Sequence, residues 1–257
     1  MRQLGLIGYP LSHSFSKRYF SEKFEREGIL GYSYDLFPLE RIEDIRGLLD
    51  EHPDLVGLNV TIPYKTAVIP YLDAIDDEAR AVGAVNCIRI EGGKLKGYNT
   101  DVYGFERTMR RFIDCPTNGI AAMILGTGGA AKAVKYVLDK LEMVYIQVGR
   151  KEEKGVFSYE RITGSLVEDF RLIINTTPLG MFPHVDGFPP LPYGSVGHFH
   201  CFYDLVYNPE ETAFMRLGKA RGARVMNGLG MLHLQADRAW EIWNAHGSKN
   251  ADLTDWG

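Results

Sequence analysis

Two polar side chains, Lys65 and Asp101, stand where a proton could be moved. Each comes just after a short apolar run that reads as a strand, residues 55–58 for Lys65 and Lys94–Tyr98 for Asp101. A hydride delivered to a ketone leaves charge on oxygen, so a proton must follow. An ammonium beside that oxygen stabilises the charge and donates the proton. A carboxylate orients the amine and bonds a substrate hydroxyl; it raises the amine's pKa, whereas burial lowers it. Other polar residues share the setting. His13, Ser14 and Ser16 follow the first strand, Asn59 and Thr61 the third, Asn86 opens a hairpin strand, and Asn99 and Thr100 precede Asp101. In α/β structures the carboxyl ends of strands converge on one crevice, and these groups together suit a small polyhydroxylated acid. Each alone has an ordinary reading. Ser16, Thr100 and Asp101 can cap helices, Asn59 can bond loop backbone, and Lys65 can be a solvated helix lysine.

A second chemistry is written in Gly126-Thr127-Gly128-Gly129, which follows the apolar run 120–125 and opens an Ala-rich segment. Glycines there allow a tight turn and close approach of a pyrophosphate to backbone, while the helix N-terminus offers free N–H groups. The next strand, 144–148, runs into Gly149-Arg150-Lys151 and not into the acidic residue that takes the ribose hydroxyls of NAD. Arg150 offers a planar fork for a 2′-phosphate, so the reading is NADP over NAD, with a solvated loop as the alternative. No metal site is read: the Cys and His residues lack ligand spacing. His198 and His200 read as surface or strand-edge residues, and His233 as a helix-surface one.

The elements that must position these groups follow from periodicity. Strands are expected at 4–8, 32–37, 55–58, 85–90, Lys94–Tyr98, 120–125, 144–148, 172–175, 202–206 and 224–226. Helices are expected at 16–26, 39–49, 64–72, 102–112, 130–141, 212–219 and 229–245. Gly92-Gly93 is the hairpin turn. The turn formers of 114–119 mark the main domain boundary, and the second half is a strand–helix repeat with its chemistry at strand ends. The last helix, with a stripe of Leu232, Ala236, Ala239, Trp240 and Trp243, can pack on either half. Residues 151–171 show no clean helical period and read as a trimmed unit.

The chain has 257 residues with 29 Lys plus Arg against 33 Asp plus Glu, a net charge of −4, which speaks against a basic nucleic-acid binder. No apolar run is long enough to span a bilayer, and the N-terminus reads as a buried strand, not a signal peptide. The 3 cysteines, Cys87, Cys115 and Cys201, are odd in number and widely spaced, which fits free thiols in a cytoplasmic, reducing setting.

Several motifs in order resemble the shikimate dehydrogenase family over residues 5–245. They are Gly8-Tyr9-Pro10-Leu11-Ser12-His13-Ser14-Phe15-Ser16, Asn59-Val60-Thr61-Ile62-Pro63-Tyr64-Lys65, Gly83-Ala84-Val85-Asn86, Gly97-Tyr98-Asn99-Thr100-Asp101, Gly126-Thr127-Gly128-Gly129-Ala130, Asn175-Thr176-Thr177-Pro178-Leu179-Gly180-Met181, Tyr203-Asp204-Leu205-Val206-Tyr207-Asn208-Pro209 and Asn227-Gly228 with Met231-Leu232 through Gln235. The resemblance implies reversible NADP(H)-dependent reduction of 3-dehydroshikimate to shikimate, in aromatic amino-acid biosynthesis. It implies two α/β domains separated by a cleft: a substrate-binding domain at 1–102 and 233–257, and a Rossmann-like dinucleotide-binding domain at 103–232. Lys65 and Asp101 would be catalytic. Ser14 and Ser16 would hold the substrate carboxylate, and Asn59, Thr61, Asn86, Tyr207 and Gln235 would complete the substrate site. Gly126, Thr127, Gly128, Gly129, Ala130, Arg150, Asn175, Thr176, Thr177, Gly228 and Met231 would hold NADP. The partner is then a small molecule, with no nucleic acid or membrane, and the chain a monomer or homodimer. Lys17 and Phe20 depart from the family's usual Pro and His, and Arg150 keeps its place with altered neighbours. A quinate/shikimate dehydrogenase using NAD, and a non-catalytic nucleotide-binding regulator, remain the rival readings.

Overall fold

The computed structural model describes residues 1–11, 15–113 and 119–245. Ser14, Cys115 and the tail beyond Ala245 lie outside the described residues. The chain forms two compact units, Met1–Thr100 with the segment from Gln235 onward, and Asp101–Leu234.

In the first unit β1 (Arg2–Gly8) leads to α1 (Phe15–Glu27), β2 (Tyr32–Pro38), α2 (Ile45–Glu51), β3 (Leu55–Val60), α3 (Tyr64–Ala67), β4 (Ala74–Ile75), α4 (Asp77–Val82), β5 (Cys87–Glu91) and β6 (Lys94–Tyr98). The six strands lie in the order β2-β1-β3-β5-β6-β4. β1 runs parallel to β2 and β3, whereas β5 is antiparallel to both β3 and β6. One face is covered by a core of Ile7, Ile45, Leu58, Val68, Ile88 and Leu95. The other face meets Phe20 of α1 and the end of the final helix through Ala236, Ala239 and Trp243.

In the second unit α5 (Asp101–Phe112) precedes β7 (Ala122–Leu125), α6 (Gly129–Lys140), β8 (Tyr145–Gly149), β9 (Val156–Ser158), α7 (Gly164–Glu168), β10 (Leu172–Asn175), β11 (Cys201–Asp204), α8 (Ala213–Lys219), β12 (Arg224–Met226) and α9 (Leu229–Asn244). Its six strands are all parallel, in the order β12-β11-β10-β7-β8-β9. β7 and β10 are buried throughout, as parallel strands covered on both faces must be. Among the described residues no helix is long and apolar enough to cross a membrane.

Several sequence expectations are corrected. The chain passes between units at Thr100–Asp101 and Leu234–Gln235, not at 114–119. Helix α5 buries Val102, Phe105, Met109 and Phe112, and Phe105 stacks on Tyr203 of β11 at 5.4 Å. Residues 39–41 are outside the helix expected at 39–49, which opens as a 3-10 turn at Ile42–Asp44. The segment expected at 64–72 breaks after Ala67, and a separate 3-10 turn over Ile69–Tyr71 takes Pro70 near its start, where a missing N–H costs least. Residues 151–171 hold the edge strand β9 and the one-turn helix α7, capped by Thr163 accepting from the Leu166 N–H at 3.3 Å. Strand β4 and helix α4 escape the periodic pattern because each is too short to show one. His200 is fully buried, not at the surface. Its Nδ1 accepts from the Gly197 N–H at 2.9 Å, and its Nε2 lies 3.1 Å from the Val167 carbonyl, so the ring pins a loop.

Candidate active site

In the first unit the strand register gathers the polar residues. Ile7 pairs with Val60, Asn59 with Cys87, and Cys87 with Tyr98. The ends of β1, β3 and β6 and the start of β5 therefore lie at one end of the sheet. Asn59, Thr61, Asn86, Asn99 and Thr100 fall there together, although up to forty positions separate them in the chain.

Asn86, buried, is the centre of this group. Its Oδ1 accepts from the Thr100 N–H at 2.7 Å and its Nδ2 donates to Thr100 Oγ1 at 3.0 Å. The Thr100 hydroxyl lies 3.3 Å from Gln235 Oε1, and Asn86 Nδ2 reaches the same oxygen at 3.5 Å. Asn59 Nδ2 donates to the Asn86 carbonyl at 3.4 Å, and Asn59 Oδ1 accepts from the Tyr34 hydroxyl at 2.8 Å. Burial pushes the Tyr34 phenol well above the usual range, and the neighbouring Ser16 pulls it down. Tyr34, Asn59, Asn86, Thr100 and Gln235 thus form one connected network. Tyr34 was not singled out in the sequence. The signal available was the alternation of Tyr32 and Tyr34 along β2, which places both rings on one face.

Backbone holds the neighbouring residues. The Thr61 N–H donates to Ile7 O at 3.0 Å, and the Lys65 carbonyl accepts from the Val85 N–H at 2.7 Å. Lys65 is half-buried on α3, the short helix that follows β3. Two helices carry Ser16 and Gln235, and a separate cluster ties them together. Lys23 of α1 bonds Asp237 of α9 at 3.0 Å and Glu27 at 3.1 Å, and the Tyr19 hydroxyl donates to Asp237 at 2.7 Å. Burial opposes the Lys23 charge, but the bonds to Asp237 and Glu27 outweigh it and its pKa is raised.

In the second unit Leu125 aligns with both Asn175 and Val148, and Asn175 with Asp204. The carboxyl edge of this parallel sheet therefore presents Gly126–Ala130, Arg150, Thr176–Thr177 and Tyr207, the edge at which open α/β sheets bind ligands. Gly126 has φ 120°. A side chain there would press on Thr176 Oγ1 at 2.5 Å, while the space before Gly128 is open. Gly128 is the N-cap of α6 and gives it no side-chain cap, so the first N–H groups of this helix are left for an anion. Gln147 fixes the turn from beneath, donating to Gly126 O at 2.8 Å. Arg150 is exposed just past β8, and Thr127 is exposed beside the turn. Thr176 bonds Leu125 O through its N–H at 2.9 Å and its hydroxyl at 2.7 Å. Asn175 is fully buried and bonds within its own loop and to Asp204. Gly228 is buried against Leu205, whose carbonyl a side chain would strike. Met231 is buried on α9, Tyr207 half-buried, and Asp101 buried at the start of α5. Among the described residues no group of His, Cys, Asp and Glu could hold a metal ion.

Known proteins agree with this arrangement. Residues 6–88 match the family model of the shikimate dehydrogenase substrate binding domain. A shikimate dehydrogenase (NADP(+)) of Clostridium beijerinckii is 41% identical over 252 residues, covering 95% of this chain and 92% of the relative. The crystal structure of shikimate dehydrogenase from Aquifex aeolicus superposes with a TM-score of 0.85 at 30% identity, covering 95% of this chain and 92% of that one. That of shikimate 5-dehydrogenase from Thermus thermophilus, solved with NADP(H) and shikimate, superposes at 0.83 with 30% identity, covering 95% and 94%. With strand order, glycine turn and polar network all in place, the chain belongs to the shikimate dehydrogenase family.

Proposed function

We propose that the chain reduces 3-dehydroshikimate to shikimate with NADPH, reversibly, through the residues assembled above. The observation that carries the site assignment is the single network joining Tyr34, Asn59, Asn86 and Gln235 at the end of the first sheet. The acid, in this reading, is held at its carboxylate by Ser14 and Ser16 and at its ring by Asn59, Thr61, Asn86, Gln235 and Tyr207. The second unit takes NADP. The uncapped start of α6 with Gly126–Ala130 receives the pyrophosphate, Arg150 the 2′-phosphate, and Thr176, Thr177, Gly228 and Met231 the remainder. The open space before Gly128 and the missing cap of α6 fit that group.

When bound, NADPH supplies the hydride. Lys65 stabilises the negative charge that develops on the substrate's C3 oxygen and delivers a proton to it. Asp101 orients the Lys65 amine and accepts a hydrogen bond from an adjacent ring hydroxyl. Buried amides and hydroxyls fix the acid so that only one carbonyl faces the amine. The reaction runs in the cytoplasm, where Cys87 and Cys201, both free and buried, stay reduced.

Lys65→Ala tests the assignment. Turnover should fall by roughly 10²–10⁴-fold, the usual worth of a general acid, with the KM for shikimate nearly kept. Loss of folding in step with activity would make Lys65 structural. For the cofactor, Arg150→Ala should raise the KM for NADP by about tenfold or more and leave that for NAD unmoved. Equal effects on both would remove Arg150 from the 2′-phosphate site.

A further inference from the structure

Asp204 closes β11 and is fully buried, and among the described residues no cation pairs with it. Three donors from three segments satisfy it instead. Asn175 Nδ2 donates to Oδ1 at 2.9 Å, the Val206 N–H donates to the same oxygen at 3.0 Å, and the Thr212 hydroxyl donates to Oδ2 at 2.6 Å. Each donor belongs to a different part of the carboxyl edge. Asn175 ends β10 and shapes the loop after it: its Oδ1 accepts from the Thr177 N–H at 3.0 Å and the Thr177 hydroxyl at 2.6 Å. Thr177 Oγ1 then accepts from the Leu179 N–H at 3.3 Å. Val206 precedes Tyr207, and Thr212 caps α8, accepting from the Met215 N–H at 3.3 Å.

A buried carboxylate with no counter-charge is costly unless its lone pairs are fully engaged. Hydrogen bonds to an ionised acceptor are about twice as strong as neutral ones. The arrangement therefore trades stability for a rigid joint among three segments, and the most direct chain from it runs through Asn175 to Thr177.

We infer that Asp204 is a positioning residue for the cofactor: through the Asn175 amide it holds the loop at 175–181 in the shape that receives NADP. The inference rests on the reading that this loop lies against the cofactor. Asp204 itself touches neither substrate nor cofactor in this reading. A second consequence follows from the Val206 bond, which fixes the start of the segment carrying Tyr207. That bond is to backbone, so it survives any substitution keeping an oxygen at Oδ1.

Steady-state kinetics of full-length Asp204→Ala, Asp204→Asn and Thr177→Val, with melting temperature measured beside each, test this. Asp204→Ala should raise the KM for NADP by about tenfold, as expected for loss of one buried charge-assisted bond, with the KM for shikimate within about twofold. Asp204→Asn keeps the Oδ1 acceptor and should recover most of that loss, leaving the KM for NADP about two- to threefold above the parent. A purely structural role would lower the melting temperature and move both KM values together, and that result would overturn the inference. Should Asp204→Ala fail to fold, Asp204→Asn decides. A rise confined to the KM for NADP supports the positioning role, and an unchanged value or a joint rise refutes it. Thr177→Val separates the two layers. If it weakens NADP and Asp204→Ala does not, Asp204 has no part while the loop keeps its place at the cofactor; if neither weakens NADP, the loop reading fails and the inference with it.

Discussion

At the scale of single residues, the polar network of the first unit makes a demand that side-chain type alone does not reveal. Tyr34 lies 4% exposed, stacked on Phe20 with ring centroids 4.6 Å apart, and its hydroxyl donates to Asn59. Tyr34→Phe keeps the stack and removes the hydroxyl. It should raise the KM for shikimate by about tenfold, the worth of a buried hydrogen bond, and leave the KM for NADP alone. Steady-state kinetics with each substrate varied in turn read this. A drop in melting temperature with both KM values unmoved would make Tyr34 a packing residue only. Lys65, Asn59, Asn86 and the glycine turn could be picked out by their places after strands, and their motifs pointed to one family. Tyr34 and Asp204 could not be assigned their contacts that way, because a buried phenol and a buried carboxylate acquire partners only when distant segments fold against them. Phe20 supplies the flat face on which Tyr34 rests.

At the scale of elements, the last helix shows how a site residue is delivered from the far end of the chain. Trp243 of α9 is 1% exposed and donates its indole N–H to Ile88 O at 3.0 Å. Gly57 of β3 leaves the room for it: a side chain at that position would strike the indole ring. Asp237, one turn before Trp240, is held by Lys23 and Tyr19. These anchors fix the helix that carries Gln235 into the network. Trp243→Ala should cost about 3–5 kcal/mol, the range for emptying a large aromatic site in a core, and should lower the melting transition. A change below about 1 kcal/mol would show that the helix is not anchored there. The amphipathic stripe of α9 was legible in the sequence, but the core it joins was not, since Ala236, Ala239 and Trp243 suit any apolar surface. The hairpin at Gly92-Gly93 and five of the six strands of the parallel sheet, all but β9, were legible because turn chemistry and unbroken apolar runs are local. Strand β4 and helix α4 were not, being shorter than the period that would announce them.

At the scale of the whole molecule, ionisation links the buried groups to pH. Burial raises the Asp204 carboxyl from 3.8 to about 6, with the bonds from Thr212, Val206 and Asn175 pulling against it. Over that interval the folded chain binds more protons at this position than the unfolded chain, so the position's contribution to stability falls as pH rises from about 4 to about 6 and is level above. The fall amounts to about 3 kcal/mol at most. Asp73 and Asp35 act in the opposite sense. The Leu95 N–H holds Asp73 below the ordinary carboxylate range and Gln3 holds Asp35 there, so their contributions are present above that range and lost as pH falls through it. Comparing parent and Asp204→Asn by thermal melting at several pH values cancels these shared terms. The variant should gain on the parent between pH 4 and 6, and a constant difference would place the Asp204 pKa outside that window. The most direct test is an initial-rate assay of the purified chain oxidising shikimate or quinate with NADP or NAD. Shikimate with NADP should give by far the highest kcat/KM of the four pairs. An absence of shikimate oxidation with either cofactor, in a folded protein that binds NADP, would contradict the assignment of this chain's activity.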